Sequence, residues 1–272
     1  MKNKERNKNW LTNKARGAAS EVGSFFRKIE ERPNRVFAIG DIHGHADEVG
    51  ILLDFLVDQK ACSDQDQVIF IGDYIDRGSG SNFVLERMLE VQREWPKTVF
   101  LKGNHEEMLL GFLGLGGQYG EYYLKNGGDS FFKSYGIEAT GSLTSIREQI
   151  PESHLSFIKN LELGVSLGEF IFVHAGVSPR RALDQQIQED LLWIREDFIQ
   201  HPHPFGKIVV FGHTAFNQVF LDLPYRIGID TGVAYGNRLS AVELVHGELY
   251  QVEVGGRAIS QSQLEHLLPA TS

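Results

Sequence analysis

The most constraining feature of the chain is a design repeated three times within its first 105 residues. Each repeat is a short apolar run that closes on glycine and then on a side chain able to bind metal. Arg35-Val36-Phe37-Ala38-Ile39 leads into Gly40-Asp41, and Gln67-Val68-Ile69-Phe70-Ile71 leads into Gly72-Asp73. Thr98-Val99-Phe100-Leu101 leads through Lys102 into Gly103-Asn104-His105. β-Branched and aromatic runs of this length, stopped by glycine, have the pattern of buried strands. Between them, residues 47–58 and 82–94 carry helical apolar spacing. Val49, Leu52, Leu53 and Leu56 fall on one face of the first, and Phe83, Leu85, Met88, Leu89 and Val91 populate the second. The result is a βαβαβ pattern, and in open sheets of that kind function gathers beyond the carboxyl ends of the strands.

Residues 106–161 read as helix and loop, with glycine clusters and the aromatics Tyr119, Tyr122, Tyr123, Phe131 and Phe132 as core or rim, and form an expected cap over the pocket. Strand character resumes at 169–173, 207–211, 218–221, 225–229, 239–245 and 248–254, the last two joined as a hairpin through His246-Gly247. The whole predicts one α/β domain over residues 35–256, two packed mixed sheets flanked by helices in α-β-β-α layers. Residues 1–34 are expected as a basic arm or helix and 257–272 as a C-terminal tail.

At 272 residues the chain is long enough to bury a large core, and 42% hydrophobic content excludes a mainly disordered chain. With 27 Lys and Arg against 36 Asp and Glu, the formal net charge is -9. That balance argues against wrapping nucleic acid, whose binding depends on cationic side chains displacing counterions from phosphates. It does not argue against phosphate chemistry, because bound divalent cations reverse the field within a pocket. Cys62 is the only cysteine, which excludes an intrachain disulfide and points to a reducing, cytoplasmic setting. No stretch reaches the roughly 18 apolar residues of a membrane span. Lys2, Lys4, Arg6, Lys8, Lys14 and Arg16 give the first residues a basic character that reads as a solvated arm.

Five glycine-marked turns follow strand-like runs and carry ligand-type side chains: Asp41 with His43, Asp73 with Asp76 and Arg77, Asn104-His105, His174, and His213. Carboxylate oxygen and imidazole nitrogen are the donors divalent transition metals take, and a cysteine-rich zinc site is excluded. Spacing alone leaves open which ligand serves which ion.

The strings Gly40-Asp41-Ile42-His43-Gly44, Gly72-Asp73-Tyr74-Ile75-Asp76-Arg77-Gly78 and Gly103-Asn104-His105-Glu106 resemble the signature blocks of the phosphoprotein phosphatase family, within the calcineurin-like metallophosphoesterases. Later strings agree in order: His174-Ala175-Gly176-Val177-Ser178-Pro179, Leu191-Leu192-Trp193-Ile194-Arg195, Gly212-His213-Thr214 and Ile229-Asp230-Thr231-Gly232. The resemblance implies that Asp41 and His43 ligate a first metal, that Asp73 bridges two ions, and that Asn104, His174 and His213 complete the second. It further implies that a hydroxide shared by the ions attacks phosphorus directly and in line. His105 would be the general acid, oriented by Asp76, with Arg77 and Arg195 binding phosphoryl oxygens. The expected cofactors are two divalent or mixed-valence ions, Mn first, with Fe and Zn as the other candidates.

The resemblance to the bacterial branch implies a serine/threonine protein phosphatase, with tyrosine as a further target. The alternative is a hydrolase of dinucleoside tetraphosphate or another small phosphate ester. The partner is accordingly a phosphorylated peptide or protein, or a small phosphate ester. A binding protein on a dead phosphatase fold is the remaining class, and retention of every implied ligand, acid and arginine speaks against it. No segment resembles the regulatory-subunit or autoinhibitory segments of eukaryotic relatives, and no regulatory subunit is predicted. Asp76–Arg77 also fits a structural ion pair, and Arg195 a helix-surface residue. His45, His154, His201, His203 and His246 read as solvent-exposed rather than as a further metal site.

Overall fold

The computed structural model describes residues 25–31 and 33–264. The basic residues from Lys2 to Arg16 lie outside the described residues. The three strand-and-turn repeats become β2 (Val36–Ile39), β3 (Gln67–Phe70) and β4 (Val99–Phe100). The helical patterns between them become α1 (Ala46–Asp58) and α2 (Ser81–Glu94). β2 and β3 run parallel with Ile39 opposite Phe70, and β3 and β4 run parallel with Phe70 opposite Phe100. All three therefore deliver their following turns to the same edge.

These strands sit in a six-stranded sheet of order β12-β11-β10-β2-β3-β4, completed by β10 (Arg238–Glu243), β11 (Glu248–Glu253) and β12 (Ile259–Gln263). A second six-stranded sheet holds β1 (Phe26–Ile29), β5 (Gly164–Leu167), β6 (Phe170–Val173), β7 (Ile208–Phe211), β8 (Phe220–Asp222) and β9 (Arg226–Gly228), in the order β1-β5-β6-β7-β9-β8. Alternation decides which side chain faces which layer. Val36, Ala38, Ile69 and Ile71 meet Val165, Phe172, Val210 and Ile227 between the sheets. Phe37, Ile39, Val68 and Phe70 face outward, onto Val49, Leu52, Leu53 and Leu56 of α1 and Val84, Leu85 and Met88 of α2. The far face of the second sheet, with Ile171, Val173, Val209 and Phe211, is covered by Val177, Leu183, Leu191 and Phe198. The order of layers is helix, sheet, sheet, helix, as expected.

Three elements differ from the sequence reading. Phe26–Ile29 and Ile259–Gln263 are edge strands where an arm or helix and a tail were expected, and Gly164–Leu167 is a strand inside the sheet. β1 pairs with β5 and buries Phe26, whereas β12 joins β11 through its backbone ladder while leaving Ser260 to Gln263 exposed. A strand held by main-chain bonds with no buried face carries no apolar alternation to read. The region after β4 is helical, with α3 (Asn104–Phe112), α4 (Asp129–Ser134), α5 (Leu143–Arg147) and α6 (Glu152–Lys159). Tyr123, Phe131 and Phe132 are its buried core. Phe83, grouped with the apolar positions of α2, is 67% exposed. No helix among the described residues is long and apolar enough to cross a membrane.

Candidate dinuclear metal site

Five turns at the carboxyl ends of parallel strands assemble the site. Asp41 follows β2, Asp73 follows β3 and Asn104 follows β4; His174 follows β6 and His213 follows β7. The two sheets thus contribute from opposite sides. His43, Asp73, Asp76, Arg77 and His213 all adopt left-handed backbone, with φ of 46°, 50°, 72°, 67° and 61°. Each such residue costs on the order of 1–3 kcal/mol, and strain of this kind concentrates at sites that use it. The glycines before the ligands have a steric reason. A Cβ on Gly103 would lie 2.0 Å from Asp73 Oδ1, and a Cβ on Gly212 would lie 2.0 Å from Asp41 Oδ1. Absence of a side chain there makes the cradles into which two carboxylates fit.

The second carboxylate oxygen of Asp73 is the centre of the arrangement. His43 Nε2 lies 3.4 Å and His174 Nε2 3.5 Å from Asp73 Oδ2. His43 Nδ1 donates to the Ile75 carbonyl and His174 Nδ1 to the Ile71 carbonyl, each at 3.0 Å. In the neutral ring, the lone pair is therefore left on Nε2, facing the carboxylate. Ligand atoms of His43, Asp73 and His105 all lie within 4.8 Å of one another, and so do those of Asp73, His174 and His213. Asn104 joins the second trio, with its Oδ1 3.0 Å from His174 Nε2 and 2.9 Å from His213 Nδ1.

Lone pairs converging on a buried carboxylate need a cation between them, and several other features fit one. Asp41 Oδ1 and His213 Nε2 are buried without a hydrogen-bond partner among the described residues. Asp41 Oδ2 accepts from the His213 backbone N–H at 3.0 Å, which ties the two sheets' turns together. Burial pushes the imidazoles of His43, His174 and His213 below their usual range, into the neutral form that metals require. Burial, then Asp230 and Asp73, lift Asp41 well above the ordinary carboxyl range. Burial resists ionisation of Asp73 too, yet positive charge on the surrounding rings holds that carboxyl low; with His174 and His43 neutral, His105 is the ring that carries it. A pocket of buried carboxylates and neutral imidazoles is the donor set of divalent transition metals.

Beside this centre lies a chain of polar contacts. His105 Nδ1 donates to Asp76 Oδ2 at 2.7 Å, and the Tyr123 hydroxyl donates to Asp76 Oδ1 at 2.6 Å. Burial would lower the His105 imidazole, yet Asp73 and Asp76 together raise it. Arg77 Nη2 reaches His105 Nε2 at 3.2 Å, and Arg77 Nη1 reaches the Tyr235 hydroxyl at 3.0 Å. Asp76 and Arg77 are consequently not partners of one another. Arg195 is exposed and directs Nη1 at Thr214 Oγ1, 3.3 Å away and next to His213.

Two residues to which the sequence assigned no role support the turns. Glu106 is fully buried; its Oε2 accepts from the backbone N–H groups of Asp73 and Gly103 at 3.0 and 2.9 Å. Its Oε1 accepts from Tyr74 and Ile75 at 2.8 and 3.3 Å. One carboxylate therefore fastens the β3 turn to the β4 turn. An acid at the third position of a glycine-led helix start, Glu106 after Gly103, is the sequence signal for such a role. Tyr123 has none, because only the fold brings the cap region over Asp76.

The remaining histidines divide. His201 and His246 are exposed, as expected, and the His45 ring folds back onto the Ile42 and His43 carbonyls. His203 and His154 are buried instead, contrary to the expectation of exposure. The flanking aromatics explain His203, which stacks between Phe198 and Phe205. His154 bridges the Tyr135 hydroxyl at 2.5 Å and Glu86 at 3.1 Å.

A site built on one shared carboxylate, at the meeting edge of two mixed sheets, defines a dinuclear metal-dependent hydrolase. Residues 34–250 match the calcineurin-like phosphoesterase family, and the chain belongs to it. It is a metal-dependent phosphoesterase with a His/Asp-lined dinuclear site. It is 25% identical over 246 residues to a bis(5'-nucleosyl)-tetraphosphatase, PrpE [asymmetrical], of Oceanobacillus iheyensis, covering 80% of this chain and 92% of that protein. A solved protein provisionally named a diadenosine tetraphosphatase superposes with a TM-score of 0.61 at 21% identity, covering 84% of this chain and 97% of the other. The cold-active protein-tyrosine phosphatase of a psychrophilic Shewanella superposes at 0.56 with 18% identity, covering 90% of this chain and 83% of its own. The two solved structures share the fold.

Proposed function

We propose that the chain hydrolyses dinucleoside polyphosphates. The observation that carries this reading is the match to the bis(5'-nucleosyl)-tetraphosphatase across 92% of that relative's length. Asp41, His43 and Asp73 would hold one cation, and Asp73, Asn104, His174 and His213 the other. Two cations there supply Lewis acidity and a water of lowered pKa, and Mn suits the mixed oxygen and nitrogen donors, with Fe and Zn as the other candidates. Arg77 and Arg195 would hold non-attacked phosphoryl oxygens, for which the guanidinium fork is suited. In the displacement, a water oxygen forms a bond to phosphorus while the bridging P–O bond breaks. The leaving oxygen takes its proton from His105 Nε2, and Asp76 steadies the ring through Nδ1. Phosphoryl oxygens on Arg77 would draw that guanidinium off Nε2 and free it for this task.

A second reading, a serine/threonine or tyrosine protein phosphatase, is favoured by the Leu191–Arg195 and Ile229–Gly232 strings. Metal-reconstituted protein assayed in parallel on diadenosine tetraphosphate and on phosphoserine, phosphothreonine and phosphotyrosine peptides separates the two. The proposal expects the higher kcat/KM on the dinucleotide, with AMP and ATP as unequal products of cleavage. A higher kcat/KM on any of the peptides reverses it.

A further inference from the structure

We propose that Tyr235 is a stacking platform for a nucleobase, a subsite that rests on the dinucleoside polyphosphate reading above. Single exposed apolar side chains are ordinary on protein surfaces. Tyr235 is distinguished by its neighbours. It is 71% exposed, yet its hydroxyl is held 3.0 Å from Arg77 Nη1 and its ring centre lies 5.2 Å from the guanidinium carbon. The same guanidinium touches His105 at 3.2 Å through Nη2. One arginine therefore spans from the edge of the metal cluster to an open aromatic face.

The ring stands on a built pedestal. It ends a short turn, Val233–Tyr235, in which Val233 is buried at 1% exposure. The Tyr235 N–H donates to the Gly232 carbonyl at 2.9 Å, and the Gly232 N–H donates to Asp230 Oδ1 at 2.9 Å. Asn237 closes the turn from the other side, donating from Nδ2 to the Thr231 carbonyl at 2.6 Å. Asp230 is itself buried at the end of β9, so the platform is anchored to the sheet that carries His213. A phosphate-binding guanidinium with an aromatic face next to it matches a nucleotide, whose base and terminal phosphate are joined through one ribose. Base stacking on an aromatic side chain tightens binding by about one to two orders of magnitude, and every base offers the π-face it needs.

The test follows p-nitrophenyl phosphate turnover by the metal-reconstituted full chain, with AMP or ribose 5-phosphate as competing ligand. The two inhibitors share phosphate and sugar and differ in the base. The platform expects AMP to inhibit wild type about tenfold more tightly than ribose 5-phosphate, within the span that stacking allows. Tyr235→Leu erases that advantage, and Tyr235→Phe keeps it. Equal inhibition constants in wild type overturn the platform, as does an AMP advantage that survives in Tyr235→Leu. A loss in Tyr235→Phe as large as in Tyr235→Leu also overturns it, because the grip on Arg77 and not the ring face would then be responsible. Failure of wild type to cleave diadenosine tetraphosphate is a separate result: it removes the function proposed above and leaves these constants to be read on their own.

Discussion

At the scale of single residues, His105 occupies the position with the sharpest alternatives. Its ring lies edge-on to His43, with centroids 4.7 Å apart, close enough to share a cation. Its Nδ1 is committed to Asp76, whose carboxylate favours the imidazolium of a general acid, and its Nε2 accepts from the Arg77 guanidinium until phosphate draws that side chain away. Replacing His105 with Asn should then lower kcat by roughly 10²–10⁴-fold on a substrate with an alkoxide leaving group, the usual span for general acid catalysis. The loss should be much smaller on p-nitrophenyl phosphate, whose leaving group departs without a proton, and the metal count should stay at two. Loss of one ion in that variant, measured by elemental analysis, makes His105 a ligand instead. The sequence exposed His105 and Asp76 through their motif strings. Tyr123, which donates the second hydrogen bond to Asp76, was not legible because its partner stands 47 positions earlier.

Among the elements, turns decide more than strands. Gly103 admits Asp73 only because it lacks a side chain; a Cβ would also lie 2.4 Å from the Asp73 backbone nitrogen, and backbone does not swing aside. Gly103→Ala should therefore weaken metal affinity roughly 10–100-fold, the effect typical of disturbing groups behind a ligand. Gly50→Ala is the contrasting control. Gly50 lies inside α1 with nothing among the described residues within 4 Å of an added Cβ, so alanine there should stabilise by about 0.5–1 kcal/mol in urea unfolding and leave metal affinity unchanged. The turns were legible as glycine followed by donor. β2 and β3 were legible because they are apolar on both faces, as strands buried between two layers must be. β12 was not, since Ser260 to Gln263 are exposed and pair with β11 chiefly through backbone. His203 escaped for a related reason: Pro202 and Pro204 suggest a polar loop, while Phe198 and Phe205 close around the ring.

For the whole molecule, the sequence disclosed a phosphoryl-transfer site far more readily than the group that carries the phosphate. Metal ligands recur at fixed offsets from strand ends, whereas recognition of the rest of a substrate would depend on surfaces such as the cap region, which only the fold brings beside the site. The same convergence has a mechanical consequence. Asp41, Asp73 and Asn104 hang from one sheet and His174 and His213 from the other, in a chain whose only cysteine is buried Cys62. The ion that Asp73, Asn104, His174 and His213 would hold is gripped from both sides and would rivet the sheets together, as a cross-link does. Free Mn²⁺ at a hundredfold excess over its dissociation constant should add about 2.7 kcal/mol per site to stability. Hydrogen exchange should show slowed opening at the ends of β2 and β3 and, in step with them, of β6 and β7. Slowing confined to one sheet would deny the rivet. If both slow together, loss of metal loosens the joint between the sheets as well as stopping the chemistry, and a chelated chain becomes an easier substrate for proteases than one that keeps its ions.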